Sequence, residues 1–427
     1  MAPPSTTTPE ATTTTAPSST TTTIPPSGTT TTTTPDATTT TEPPPPGVPP
    51  GRLAIVSVDG GLLTVRPDGA QVQTLADAPP GGTTVQMAWS PDAARVAFST
   101  TTRTHADIGV ATPGTTPTTQ QLPTAPYHLA WSASGAQLGL LRVDSVDTVQ
   151  LALVDAGLTA APRQVGGGTE AWAAWSPDGT RMFLRVEDEL LLVDATGTTR
   201  RLAVRLAPSG APAWLDARTL LVAVERPNDR RLVRLDVDTG AQVDVLTYDG
   251  SITFVIDLAT GAIAYQVVPE DETQGGGGRV SFPRPGSTRT HAQTATPAAL
   301  DGVLAVLRPD GTSVEVLDEP ATAFQWSPNG AHLAFLDPVS STTARWRFWT
   351  PSSTVDGPEF APSGMSLELA LRNFDLRAPT TRWWSPDSSA FTFAGRVQGR
   401  EGVWVVSPTG GAASFVHEGE LVAWSPQ

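Results

Sequence analysis

From Arg52 onward the chain is a succession of short apolar runs, each ended by a polar turn. Val96-Ala97-Phe98, Leu138-Gly139-Leu140, Met182-Phe183-Leu184, Leu333-Ala334-Phe335 and Phe391-Thr392-Phe393 each open such a segment. A second run follows at Leu190–Val193, Leu232–Leu235, Val303–Val306 and Val403–Val406. Tight turns close these second runs, among them Asp155-Ala156-Gly157, Asp194–Gly197, Asp238-Thr239-Gly240 and Asp310-Gly311. A third run, such as Val243–Leu246 or Val314–Leu317, completes the set. Runs of this length bounded by Gly, Pro and Asp predict β-strands joined by hairpin turns. Residues 1–50 contain none of this patterning: they are 21 Thr and 13 Pro with little else.

The runs repeat in register. Ala88-Trp89-Ser90-Pro91-Asp92 returns as Ala130-Trp131-Ser132, Ala174-Trp175-Ser176-Pro177-Asp178-Gly179, Gln325-Trp326-Ser327-Pro328-Asn329-Gly330, Trp383-Trp384-Ser385-Pro386-Asp387 and Ala423-Trp424-Ser425-Pro426. Trp214 keeps the tryptophan without Ser-Pro, and Val255–Gly261 keeps only the register. Successive positions are 42, 44, 39, 42, 70, 58 and 40 residues apart, close to the period of a four-stranded propeller blade in five of seven cases. With the Trp strand labelled A, each unit then reads A, B, C, D. Proline presets the A–B turn, and Asp or Asn before Gly tolerates the left-handed residue that closes it. A broad indole fills the wedge between sheets covered on both faces, so Trp89, Trp131, Trp175, Trp214, Trp326, Trp384 and Trp424 read as packing residues.

The ends of the chain complement one another. After the first fifty residues come B, C and D runs at Arg52–Val56, Leu62–Val65 and Val72–Leu75, with no A; the chain ends on an A strand at Trp424. The expected fold is all-β: an eight-bladed β-propeller closed by pairing of its N- and C-terminal strands, preceded by a disordered Thr/Pro-rich spacer. The closing blade would combine residues 51–78 with 421–427, and a seven-bladed ring is the alternative if Ile256 lies in a long connection. Trp-Ser-Pro-Asp-Gly before an apolar strand resembles the WD40-like repeat of the TolB propeller family, over Gly51 to Gln427 as a repeat pattern. That family pairs a six-bladed ring with an amino-terminal α/β domain. Here there are more repeats and a Thr/Pro spacer, so the resemblance implies the fold and no partner.

Composition narrows the function. There is no Cys, which removes disulfides, zinc–thiolate sites and Cys nucleophiles. Every basic charge is Arg, and the net charge of −15 disfavours nucleic acid. No eighteen-residue apolar run encodes a membrane span. Thr/Pro stalks of this kind hold surface domains away from a membrane or a leader, so an extracytoplasmic, secreted or envelope-attached protein is expected. No signal peptide is visible at Met1.

Two long spacings mark insertions, at about Glu270–Thr296 in a B–C connection and roughly Ser352–Thr381. Long loops on a rigid scaffold carry binding. The binding candidates are Arg279, Phe282, Arg284, Arg289 and His291 in the first, and Arg345, Arg347 and Trp349 on the strand before the second. These three alternate with Trp346 and Phe348, giving a cationic, aromatic strand face that could also be packing. Trp172, Trp383 and Trp404 read as packing. No catalytic residue, metal site or cofactor is expected: Gly-x-Ser-x-Gly is absent, and His105, His128, His291, His332 and His417 are scattered without metal-ligand spacing. His128, just before Trp131, could face the central channel, and Asp236-Val237-Asp238-Thr239-Gly240 reads as a hairpin turn rather than a calcium loop. The expected function is a monomeric, non-catalytic scaffold that binds a protein, peptide or envelope polymer through the B–C/D–A loop face. The alternative is a propeller lyase, lactonase or hydrolase with a metal or polar site at the channel.

Overall fold

A computed structural model describes residues 47–144, 148–269, 299–367 and 381–427. Among these residues the strands form six four-stranded antiparallel sheets and one sheet of seven strands. Five of the six follow chain order, starting at Thr83–Trp89, His128–Trp131, Ala171–Trp175, Ala213–Trp214 and Ser251–Ile256. The Ile256 register is therefore a paired A strand, lying against Ile263–Val268.

The sixth sheet joins the two ends of the described chain. Leu53–Val56 pairs antiparallel with Leu421–Trp424, placing Leu53 opposite Trp424 and Val56 opposite Leu421. Strands such as Val96–Thr101 and Phe391–Val397 are buried along nearly their whole length. Sheets covered on both faces demand such continuous apolar runs, so alternation sorts side chains between two neighbouring sheets. Ala54 and Val56 pack with Met87, Trp89 and Val96, whereas Leu53 and Ile55 pack with Val403, Val405 and Val416. Full burial of a residue like Ile55 contributes about 1.5–3 kcal/mol. Similar clusters join successive sheets elsewhere, as where Phe183 and Leu190 meet Trp214 and Leu220. The ring of sheets thus closes through the terminal pair, and the molecule is a β-propeller.

The recurring turn is a closed hydrogen-bond unit. Ser176 Oγ donates to Asp178 Oδ1 at 2.5 Å and accepts from the Arg181 amide at 3.2 Å. Ser90–Asp92, Ser327–Asn329 and Ser385–Asp387 repeat the first contact. Gly179 and Gly330 supply the left-handed residue, at φ 68° and 69°, while Ala93 and Ser388 adopt it at 56° and 64° without glycine. Tryptophan stitches one repeat to the next. The indoles of Trp131, Trp175, Trp214 and Trp384 donate to the carbonyls of Ala88, Ala130, Ala174 and Gln325, each being the residue before the preceding repeat's tryptophan. Direct contact between successive A strands makes them the inner edge of the ring.

The second insertion differs from expectation. Ser353–Pro362 is a ten-residue strand, not a loop. It pairs with Ala344–Thr350 around a bulge between Arg345 and Arg347, then passes Ala361 and Pro362 to Arg396 and Gly395 of the next unit. This crossing fuses two units into the seven-stranded sheet, and Trp384 rejoins by an isolated bridge to Phe391. Gly357 and Pro358 weaken the strand pattern in the sequence, and pairing set by the neighbouring strands overrides it. Residues 270–298 and 368–380 lie outside the described residues. The Asp236–Gly240 segment is a hairpin turn: Asp236 Oδ1 accepts the Thr239 amide at 2.8 Å, and Asp238 pairs with Arg181 at 2.6 Å.

Candidate functional site

A cavity of about 310 Å³ opens where D–A and B–C connections of two adjacent sheets meet. Glu170, Arg205, Leu206 and Pro208 come from D–A connections, Glu187 and Asp188 from a B–C turn, and Arg185 and Glu225 from the ends of B strands. Arg185 is its ordered floor, 1% exposed within Arg181–Val186. Its guanidinium donates to the carbonyls of Ala207, Gly210, Glu187 and Pro208 at 2.6, 2.7, 2.9 and 3.1 Å. It also lies 4.6 Å from the ring of Trp172, its cross-strand partner. Burial pushes its pKa down to about 10, with Glu170, Tyr248 and Asp188 opposing, so the cation persists at neutral pH.

The carboxylates above this floor differ in occupation. Glu187 accepts from Thr169 Oγ1 at 3.0 Å, and Glu225 pairs with Arg205 at 3.1 Å. Glu170 and Asp188 use their main-chain carbonyls within the fold, but no described residue donates to either carboxylate. The cavity therefore presents two free carboxylates above a fixed cation already saturated by carbonyls. Such a surface suits a cationic group, such as a lysine or arginine side chain of a partner. The sequence carried one signal for it: Arg185 interrupts an apolar run just before Glu187-Asp188-Glu189.

Residues singled out in the sequence fall differently. Arg279, Phe282, Arg284, Arg289 and His291 lie outside the described residues; their segment joins Ile263–Val268 to Leu304–Leu307. Arg345 donates to Asp337 Oδ2 at 3.2 Å and Asp356 Oδ2 at 3.0 Å, and Arg347 donates to Asp356 Oδ1 at 2.7 Å. Both cations are thus shared between two aspartates. Trp349 is 8% exposed and packs edge-on against Trp326 at 6.3 Å. Trp383 packs on Trp346 at 5.3 Å, and the Trp404 indole donates to the Gly395 carbonyl at 3.0 Å. The cationic strand face is present but internally neutralised.

The described histidines do not converge. His105 meets Asp107 at 3.3 Å, His332 stacks on Trp384 at 6.0 Å, and His417 contacts the Glu418 carbonyl at 2.7 Å. His128 is 1% exposed on an inner strand, and neither ring nitrogen closes a well-formed hydrogen bond. Burial lowers its pKa to about 4; the nearby Ala173 main chain opposes this too weakly to prevail. Among the described residues no three His, Asp or Glu gather as metal ligands, and no helix is long and apolar enough to cross a membrane.

Comparison with known proteins bears on the fold. No family model and no curated protein matches the chain. A solved eukaryotic initiation factor is similar over 88% of this chain and 98% of its own, at 14% identity and a TM-score of 0.51. The dihydro-heme d1 dehydrogenase NirN is similar over 88% of this chain and 73% of its own, at 13% identity and a TM-score of 0.51. TolB from Acinetobacter baumannii matches over 52% of this chain at 16% identity and a TM-score of 0.33, and the chain spans 63% of that structure. Likeness at these identities concerns the propeller fold alone.

Proposed function

We propose that the chain is a non-catalytic, extracytoplasmic binding scaffold of TolB-like type, built as an eight-bladed propeller behind a Thr/Pro spacer over residues 1–50. Six four-stranded sheets, and a seven-stranded sheet divisible at Ser353–Pro362, support the count of eight. The ligand is a protein, peptide or envelope polymer engaged on the B–C/D–A loop face. The observation that carries this reading is the cavity on that face, with the free carboxylates of Glu170 and Asp188 above Arg185. The strands flanking the Glu270–Thr296 segment in the chain, Ile263–Val268 and Leu304–Leu307, are the B and C strands of their sheet.

The test selects displayed peptides against the full chain, then measures binding to a Glu170→Gln/Asp188→Asn variant and to a chain lacking Gly275–Thr296. Peptides rich in Lys or Arg are expected, bound at least about tenfold more weakly by one or both variants at unchanged melting temperature. Peptides that bind all three chains equally would contradict the assignment of this face. A second reading, an enzyme at the central channel, rests on His128, a buried inner-strand imidazole whose nitrogens close no well-formed hydrogen bond. Turnover of an oligosaccharide, lactone or peptide that disappears in His128→Leu would favour it.

A further inference from the structure

Two arginines line the acidic cavity, and only one of them is committed to the fold. Arg185 is buried and donates to four carbonyls. The Arg205 side chain is 74% exposed, and its charged partner among the described residues is Glu225, whose Oε2 lies 3.1 Å from Nη2. Both members of this ion pair line the cavity. The main chain beneath them is pinned. The Arg205 carbonyl accepts the Glu225 amide at 3.1 Å, Leu206 bridges to Val224, and the Ala207 amide donates to the Ala223 carbonyl at 3.0 Å. The Arg205 side chain can therefore turn away without unpairing the backbone.

The pair is weak and unequal. An ion pair with so exposed a member gains little over the same charges in water, and it loses side-chain freedom. Glu225 is held better than its partner. Its Oε1 lies 3.9 Å from Nη2 of Arg230, too far for a hydrogen bond but near enough to attract it. Arg230 is itself fixed by donating through Nη1 to the Gly250 carbonyl at 2.9 Å. When Arg205 turns outward, Glu225 stays in the cavity wall and adds a third carboxylate to those of Glu170 and Asp188.

We propose that Arg205 is an internal competitor for the cationic ligand, occupying Glu225 in the free protein and giving it up when a lysine or arginine side chain enters. This rests on the reading of the cavity as a cation site and adds the regulation of that site. The incoming cation takes over the Glu225 carboxylate, and the like charge of Arg205 moves out into solvent, where it is screened.

The experiment measures binding of a blocked lysine tetrapeptide to the full chain by calorimetry at low ionic strength. Arg205→Gln should bind it about three- to fivefold more tightly than the parent, the scale of one exposed ion pair. That gain should vanish when Glu225→Gln is already present, because the two side chains act through each other. Arg201→Gln is the control for net charge: Arg201 is also exposed and pairs with Glu189 at 2.9 Å, but neither lines the cavity. It should bind like the parent. Equal or weaker binding by Arg205→Gln, an equal gain in Arg201→Gln, or a gain that persists without Glu225 would each overturn the proposal. Where Glu170→Gln/Asp188→Asn still abolishes binding, such a result overturns the competitor alone. No binding by either the parent or Arg205→Gln would overturn the cation site and the competitor together.

Discussion

The Trp89 indole donates to the Ala423 carbonyl at 3.1 Å, although 334 residues separate them. It is the same contact that links Trp131 to Ala88 and Trp175 to Ala130, here made across the seam between the two ends of the chain. Trp89→Phe keeps most of the wedge but removes the indole donor from the Ala423 carbonyl, which still lies in the ladder opposite Ala54. A loss of about 0.5–1.5 kcal/mol is expected in denaturant unfolding, whereas Trp89→Ala should cost about 3–5 kcal/mol. A Phe variant as stable as the parent would show that this bond contributes nothing.

Two of the Ser-Pro-Asp A–B turns hold a non-glycine residue in the left-handed region, Ala93 and Ser388. Ala93 holds φ at 56° where other repeats have glycine. A left-handed residue with a Cβ costs about 1–2 kcal/mol, of which glycine returns part as unfolded-chain entropy. Ala93→Gly should therefore stabilise by about 0.5–1 kcal/mol. Ser388→Gly should gain less, because Ser388 Oγ also accepts the Asn329 amide at 3.1 Å. Chemical denaturation of the two variants side by side would expose a wrong sign.

His128 ties stability to pH. Its folded pKa of about 4 lies below the unfolded value near 6.5, so the unfolded chain takes up the proton first. Stability is complete above the unfolded value and is lost as pH falls from about 6.5 toward 4, by roughly 3 kcal/mol in all. His128→Leu, which copies Leu421 of the closing repeat, should flatten that part of the profile. Identical slopes for the two proteins between those limits would contradict the buried neutral imidazole.

Arg185 organises the acidic cavity through the carbonyls of residues 207, 208 and 210. Arg185→Met fills similar space but leaves them unpaired and removes the buried cation beneath the carboxylates of Glu170 and Asp188. It should destabilise by about 3 kcal/mol or more and raise hydrogen exchange in the 203–210 connection. Unaltered exchange there would remove Arg185 as the floor of the site.

What could be read from the sequence follows from how local the cause was. The Ser-Pro-Asp-Gly turns and their tryptophans recur because each unit solves the same local problem, and a B-C-D start against an A-strand end made closure legible. The strand Ser353–Pro362 was not legible, since its pairing is imposed by strands on both sides despite Gly357 and Pro358. Arg345 and Arg347 looked like a free cationic face because Asp337 and Asp356, their partners, lie on the neighbouring strands. Arg185 was not legible as the floor of a cavity, because its carbonyl acceptors Ala207, Pro208 and Gly210 come from a connection far along the chain.

The placement of every loop face depends on the ring closing through its ends, and a chain without Cys makes this directly measurable. Ala54 and Ala423 face each other in the terminal pair. With Ala54→Cys and Ala423→Cys introduced together, mild oxidation should give an intramolecular disulfide in nearly every monomer, with a raised melting temperature. Free thiols, or disulfides only between chains, would contradict closure by this pair.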